Sequence, residues 1–201
     1  LGATRRDRRL STGPRGPRGR PKALAETVPR LTGKTYWMRT YGCQMNQRDS
    51  EALGCLLEER GAVPAAAEEE ADILVYNTCS VREQAERKAV GKVQLLKRLK
   101  RRRPEVIIGV VGCMAQNHGE ELLKRIPHLD FVLGTDQIHR LPEVLDGLLA
   151  EGQPVAVTET GTEVLGALQG HAPGQLVGSV PVMRGCDRFC SYCIVPYVRG
   201  R

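Results

Sequence analysis

The chain has 201 residues, 41% of them apolar, enough for one ordinary domain and part of another. No run of about 18 apolar residues occurs, which excludes a transmembrane helix, and no apolar stretch near the start marks a secretory signal. The net charge of +7 suggests nucleic acid, but residues 1–30 hold nine Lys and Arg against two acids and carry all of it; the other 171 residues hold 21 of each sign.

In chain order, residues 1–33 read as a disordered basic tail, rich in Arg, Gly and Pro with almost nothing to bury. An organellar transit peptide shares that bias, but the segment has no amphipathic pattern. "KTYWMRTYG" (34–42) is β-branched and aromatic and predicts a strand. "NQRDSEALGCLLEERGA" (46–62) spaces Leu53, Leu56 and Leu57 as a helix does, and "ADILVYNTC" (71–79) is a short buried strand. "VREQAERKAVGKVQLLKRLKRRR" (81–103) predicts one long helix stopped by Pro104, followed by a second buried strand in "EVIIGVVGC" (105–113). A helix in "NHGEELLKRIPH", a strand in "DFVLGT" and a helix in "IHRLPEVLDGLLAEG" complete the alternation. Strand and helix in strict turn imply an α/β fold: an open parallel sheet with helices on both faces, over residues 34–150. Residues 151–175 lose the period and read as a linker, and "LVGSVPVMRGC" (176–186) reads as a strand opening a second domain over 176–201.

The cysteines carry the chemistry. Seven is an odd number, which would strand a thiol in an oxidised secreted domain; ligand chemistry in a reducing cytoplasm is the better reading. Cys43, Cys79 and Cys113 each fall at a strand-to-helix junction. In an open parallel sheet such junctions share one edge, where ligands bind, and helix N-termini directed there favour thiolates. Cys55, mid-helix beside Leu56, reads as a packing residue. Cys186, Cys190 and Cys193 are spaced x3 and x2 in "CDRFCSYC". Three thiolates can hold a 4Fe–4S cubane by three corners and leave one iron open. A zinc site would want a fourth ligand, and no His lies near; His118, His128, His139 and His171 lack ligand spacing. No glycine-rich nucleotide loop is present. The run "KRLKRRR" (97–103) is either a solvated helix terminus or a patch for RNA phosphates.

"CDRFCSYC" resembles the signature of radical S-adenosylmethionine enzymes, and with three spaced cysteines before it the chain resembles the methylthiotransferases. "TYGCQMNQRDSE", "NTCSVREQAERK", "GVVGCMAQ" and "CIVPYVRGR" are similar to the branch that makes 2-methylthio-N6-isopentenyladenosine in tRNA. The branch acting on a ribosomal protein carries a motif like "GCPKN" and the threonylcarbamoyl-adenosine branch one like "GCKVN"; Gln44-Met45-Asn46 fits neither. The resemblance covers residues 34–201 and implies two 4Fe–4S clusters. Cys186, Cys190 and Cys193 would hold the radical cluster, whose open iron takes S-adenosylmethionine, with Tyr192 near the cofactor's adenine. Cys43, Cys79 and Cys113 would hold the cluster that presents sulfur for insertion.

The resemblance also implies a tRNA anticodon stem-loop as substrate, an electron donor such as flavodoxin or ferredoxin, a monomer, and no membrane partner. The family continues into a full radical-enzyme (β/α) barrel, of which only the first strand and cysteine loop are expected here, so the 201 residues alone are expected to be inactive. Two competing readings are a methylthiotransferase with another substrate (threonylcarbamoyl-adenosine tRNA or a ribosomal protein) and a non-catalytic zinc or RNA-binding module.

Overall fold

A computed structural model describes residues 31–160 and 176–201. Most of the expected basic tail, residues 1–30, and part of the expected linker, residues 161–175, lie outside the described residues. So does His171. The described residues include Leu31, which is fully buried in the core although it lies in the range expected to be tail.

Six strands form one all-parallel sheet: β1 (Thr35–Thr40), β2 (Val63–Pro64), β3 (Ile73–Thr78), β4 (Ile107–Gly112), β5 (Phe131–Leu133) and β6 (Val155–Val157). Their order is β2-β1-β3-β4-β5-β6. Among the described residues seven α-helices run between and after them: α1 (Gln44–Glu59), α2 (Glu83–Leu95), α3 (Lys97–Arg102), α4 (Cys113–His118), α5 (Glu120–Arg125), α6 (Leu141–Glu151) and α7 (Val195–Arg199). Every residue of β3 and β4 is buried, the mark of central strands covered on both sides. Alternation divides the core. Ile73, Val75, Val111 and Phe131 pack with Leu53 and Leu57 of α1 and Leu145 of α6. Leu74, Tyr76, Val110 and Val132 pack on the other face with Val93 of α2 and Leu122 of α5.

Three elements differ from the sequence reading. The helix expected over 81–103 is two, α2 and α3, meeting at Leu96, which keeps helical angles (φ −67°, ψ −10°) but donates its N–H to Val93 three residues back. That tightened turn keeps Val93, Leu96 and Leu99 all in the core. Residues 151–160, expected as linker, contain β6, which pairs with β5 through Phe131↔Val155 to Leu133↔Val157. Residues 176–186 form no strand: Val177, Val180 and Val182 are exposed, with no neighbouring strand among the described residues to pair with.

The chain leaves β1 for β2 on one side and returns to β3 on the other, so strand order reverses between β1 and β3. Ligands of open parallel sheets bind outside the carboxyl ends of the strands at such a point.

Candidate functional site

Cys43 stands three residues after β1, as the residue capping the N-terminus of α1. Cys79 directly follows β3, and Cys113 directly follows β4 as the first residue of α4. The parent strands are neighbours, with Thr40 opposite Asn77 and Thr78 opposite Gly112, so the three thiols share the carboxyl edge of the sheet at its switch point. A methyl group built on Gly42 would lie 2.8 Å from Cβ of Cys79, a measure of how close the first two loops run. All seven cysteines are free; Cys79 and Cys113 are buried and Cys43 is half-buried.

A buried amide pair stitches the first two loops together. Asn46 Nδ2 donates to Asn77 Oδ1 at 3.0 Å and to the Thr78 carbonyl at 3.0 Å, and Asn77 Nδ2 donates back to the Asn46 carbonyl at 2.8 Å. Asn46 Oδ1 also accepts the Cys43 backbone N–H at 3.3 Å, which seats that cysteine on the helix end. Thr78 Oγ1 donates to the Val111 carbonyl at 2.8 Å and ties the second loop to the third strand. Gly112 reaches Cys113 through φ +94°, and a Cβ there would strike Asn77 Oδ1 at 2.5 Å, so only glycine serves.

The segment 176–201 is anchored to this same edge. Arg199 is 5% exposed; its Nε donates to Cys113 Sγ at 3.1 Å and its Nη1 to Asp49 Oδ2 at 2.5 Å. Arg184 donates to the other carboxylate oxygen of Asp49 at 3.2 Å and to the Thr135 carbonyl at 2.5 Å. Thr135 Oγ1 donates to the Val198 carbonyl, and Cys186 N–H donates to the Gly200 carbonyl at 3.0 Å. The second triad hangs from this anchor as an open loop: Cys190 is exposed, while Cys186 and Cys193 are half-buried. Cys193 N–H donates to the Cys190 carbonyl at 3.0 Å, and Arg188 N–H to Cys186 Sγ at 3.4 Å. Tyr192 is 90% exposed, whereas Phe189 packs edge-on against Tyr197 with centroids 5.7 Å apart.

Burial pushes the Cys113 thiol up, and the adjacent Arg199 guanidinium pulls it back toward the thiolate. Burial disfavours the charge on Arg199, but Asp49 and Cys113 more than offset it and hold the guanidinium firmly charged. Among the described residues no group of three or more His, Cys, Asp and Glu is arranged to hold a single metal ion. A cubane, gripped at separate corners by thiolates, makes a different demand. The donor set fits it: three free thiols meet one edge, and Nη2 of Arg199 and Nε of Arg184 are buried there with no acceptor among the described residues. Such orphaned donors suit an acceptor-rich anionic group.

The basic run divides. Lys100 pairs with Asp130 at 2.7 Å and Arg103 with Asp72 at 3.3 Å, both bracing the amino ends of strands. Lys97, Arg98, Arg101 and Arg102 are exposed, without an ion pair among the described residues. With Arg125, Ile126 and His128, Lys97 and Arg101 border a cavity of about 420 Å3 at the end of the sheet opposite the thiols. His118 contacts Glu86 at 2.8 Å and His128 the Val93 carbonyl at 2.8 Å, both structural partners. Cys55 sits mid-helix and is half-buried, outside both core clusters.

Sequence reasoning missed Asn46, Asn77, Asp49, Arg184 and Arg199. For the first four the sole signal was adjacency to cysteines in "CQMNQRD", "YNTC" and "MRGC"; Arg199, six residues beyond Cys193 in "YVRGR", had none.

Residues 35–134, which include Cys43, Cys79 and Cys113, match the uncharacterized protein family UPF0004. The domain over these 100 residues belongs to this family. Similar proteins include the tRNA-2-methylthio-N(6)-dimethylallyladenosine synthase of Syntrophus aciditrophicus (strain SB), 42% identical over 174 residues, covering 86% of this chain and 38% of the relative. The enzyme of the same name from Protochlamydia amoebophila (strain UWE25) is 46% identical over 168 residues, 83% of this chain and 37% of the relative. That of Dictyoglomus thermophilum is 44% identical over 173 residues, 83% and 38%. The chain thus spans under two-fifths of the length of these relatives. No described helix is long and apolar enough to cross a membrane.

Proposed function

We propose that this chain is the cluster-bearing amino-terminal part of a tRNA methylthiotransferase, acting on C2 of N6-isopentenyladenosine 3′ to the anticodon by radical S-adenosylmethionine chemistry. The observation that carries the reading is the meeting of Cys43, Cys79 and Cys113 at the switch point of the sheet, with the segment bearing the second triad anchored beside Cys113. The names of the relatives support the tRNA and the dimethylallyl (isopentenyl) adenosine over the other two branches.

Cys43, Cys79 and Cys113 are the ligands of one 4Fe–4S cluster, and Cys186, Cys190 and Cys193 those of a second. When bound, the second cluster with S-adenosylmethionine supplies radical chemistry, and the first supplies sulfur for insertion. The protein's own residues hold the two thiol sets on one edge. Asn46 and Asn77 fix the spacing of the first two loops, and Arg199 covers Cys113 from water. Tyr192, exposed beside Cys193, is the residue this reading assigns to the cofactor's adenine. The unpaired cations Lys97, Arg98, Arg101 and Arg102 add salt-sensitive attraction for tRNA phosphates. A low-potential electron carrier such as flavodoxin or ferredoxin completes the set of partners.

Mass spectrometry of digested tRNA tests the reading. Disrupting the gene should remove the methylthio group from isopentenylated adenosine and leave the isopentenyl group. Unchanged methylthio-adenosine in a strain without a paralogue would refute it.

A further inference from the structure

We propose that Arg199 and Asp49 form a buried charge lever that sets the electron affinity of the group held by Cys43, Cys79 and Cys113, acting through the sulfur of Cys113. The proposal rests on the reading that those cysteines hold an iron–sulfur cluster. Its basis is geometric. Among the described residues Arg199 is the one cation that donates to an edge thiol: Nε points at Cys113 Sγ at 3.1 Å while Nη1 is held by Asp49. Both side chains are almost wholly buried, at 5% and 3% exposure, so water does little to screen them. Arg184 grips the second oxygen of Asp49, which stops the carboxylate from turning away. A planar guanidinium clamped on one side presents its remaining N–H bonds in a fixed direction, here toward the sulfur.

Hydrogen bonds to thiolate sulfur and nearby charge are the levers by which proteins tune iron–sulfur potentials. Reduction adds a negative charge to the cluster. A guanidinium beside Cys113 favours that state; a carboxylate just behind it opposes it. The two partners of one ion pair therefore push the potential in opposite directions. Arg199 also sits six residues beyond Cys193, and Arg184 two residues before Cys186. The residues that set the first site's charge are thus the ones that fasten the second triad to it, so a displacement of the second segment would be felt electrostatically at the first.

Arg199 and Asp49 are positioning residues in this account, and the readout is a potential. The full chain with Cys186, Cys190 and Cys193 replaced by Ala is loaded anaerobically with iron and sulfide, so that one cluster reports, and titrated with redox dyes by electron paramagnetic resonance. Arg199→Met should shift the midpoint to more negative values, Arg199→Lys should fall between Met and the parent, and Asp49→Asn should shift it to more positive values. Loss of packing alone would move the Met and Asn variants the same way. Equal midpoints in all four proteins, or shifts of one sign in Arg199→Met and Asp49→Asn, would overturn the proposal. Should Arg199→Met fail to fold, the Lys and Asn variants still give opposite signs or contradict it. A parent protein that takes up no iron in this background sinks the underlying cluster reading instead, a result separate from an unshifted potential.

Discussion

At the level of single residues, the thiol edge rests on side chains drawn from far along the chain: Arg199 donates to Cys113 Sγ and to Asp49, and Asn46 and Asn77 bond across two loops. Cysteine is scarce, so its recurrence at three successive strand ends stands out in a sequence. Asparagine is common in turns, and nothing in "CQMN" or "YNTC" announces that Asn46 and Asn77 exchange hydrogen bonds across 31 residues of chain. Asp49 and Arg199 are 150 residues apart, and each reads as a surface charge until the fold buries both. Replacing Asn46 with Ala strands Asn77 Oδ1 and removes the donor to the Thr78 carbonyl, both in a fully buried setting. The expected loss is about 1–3 kcal/mol of stability, read as a lower urea midpoint with an unchanged slope. Cys55 offers a pH-dependent check. Burial, reinforced by Glu58 and Glu59, raises its thiol above the ordinary range, so less thiolate exists at any given pH below it. Its alkylation by iodoacetamide should climb at higher pH than that of a free cysteine peptide, as followed by peptide mass mapping; a profile matching the peptide would contradict the burial.

At the level of elements, the central strands and α1 and α6 were readable because each carries a full period of apolar residues. The two shortest strands were not. β2 is two residues including Pro64, and β6 is three residues after Gly152; neither has room for a pattern, and both exist because a neighbouring strand offers a ladder. The opposite error occurred at 176–186, where valines suggest a strand but the described chain supplies no partner. The run 97–103 looked like a single feature because charge hides the core contribution of Leu99 and the braces made by Lys100 and Arg103. β4 contains the tightest joint of the sheet. Gly109 faces Phe131 across the ladder, and a Cβ there would lie 2.1 Å from the ring. Gly109→Ala should cost about 1–3 kcal/mol by overpacking, and Phe131→Leu in the same chain should recover part of it. Thermal unfolding of the single and double variants measures both; a silent Gly109→Ala would mean the joint is looser than it stands.

At the scale of the whole molecule, the sheet explains why cysteines 36 and 34 residues apart can act together: β1, β3 and β4 are neighbours, and their carboxyl ends lie at the point where strand order reverses. The fold class was legible from the alternation of elements, whereas the fastening of the last segment to the cysteine edge was not, because it depends on contacts between the two ends of the described chain. The central claim is that Cys43, Cys79 and Cys113 form one iron–sulfur site, separate from Cys186, Cys190 and Cys193. Iron and acid-labile sulfide are counted after anaerobic reconstitution of the full chain and of the variant with Cys43, Cys79 and Cys113 replaced by Ala. The account predicts that the variant keeps about half of both, as expected if each triad holds one cubane. A variant that retains all the iron, or a parent chain that takes up zinc and no sulfide, would contradict it.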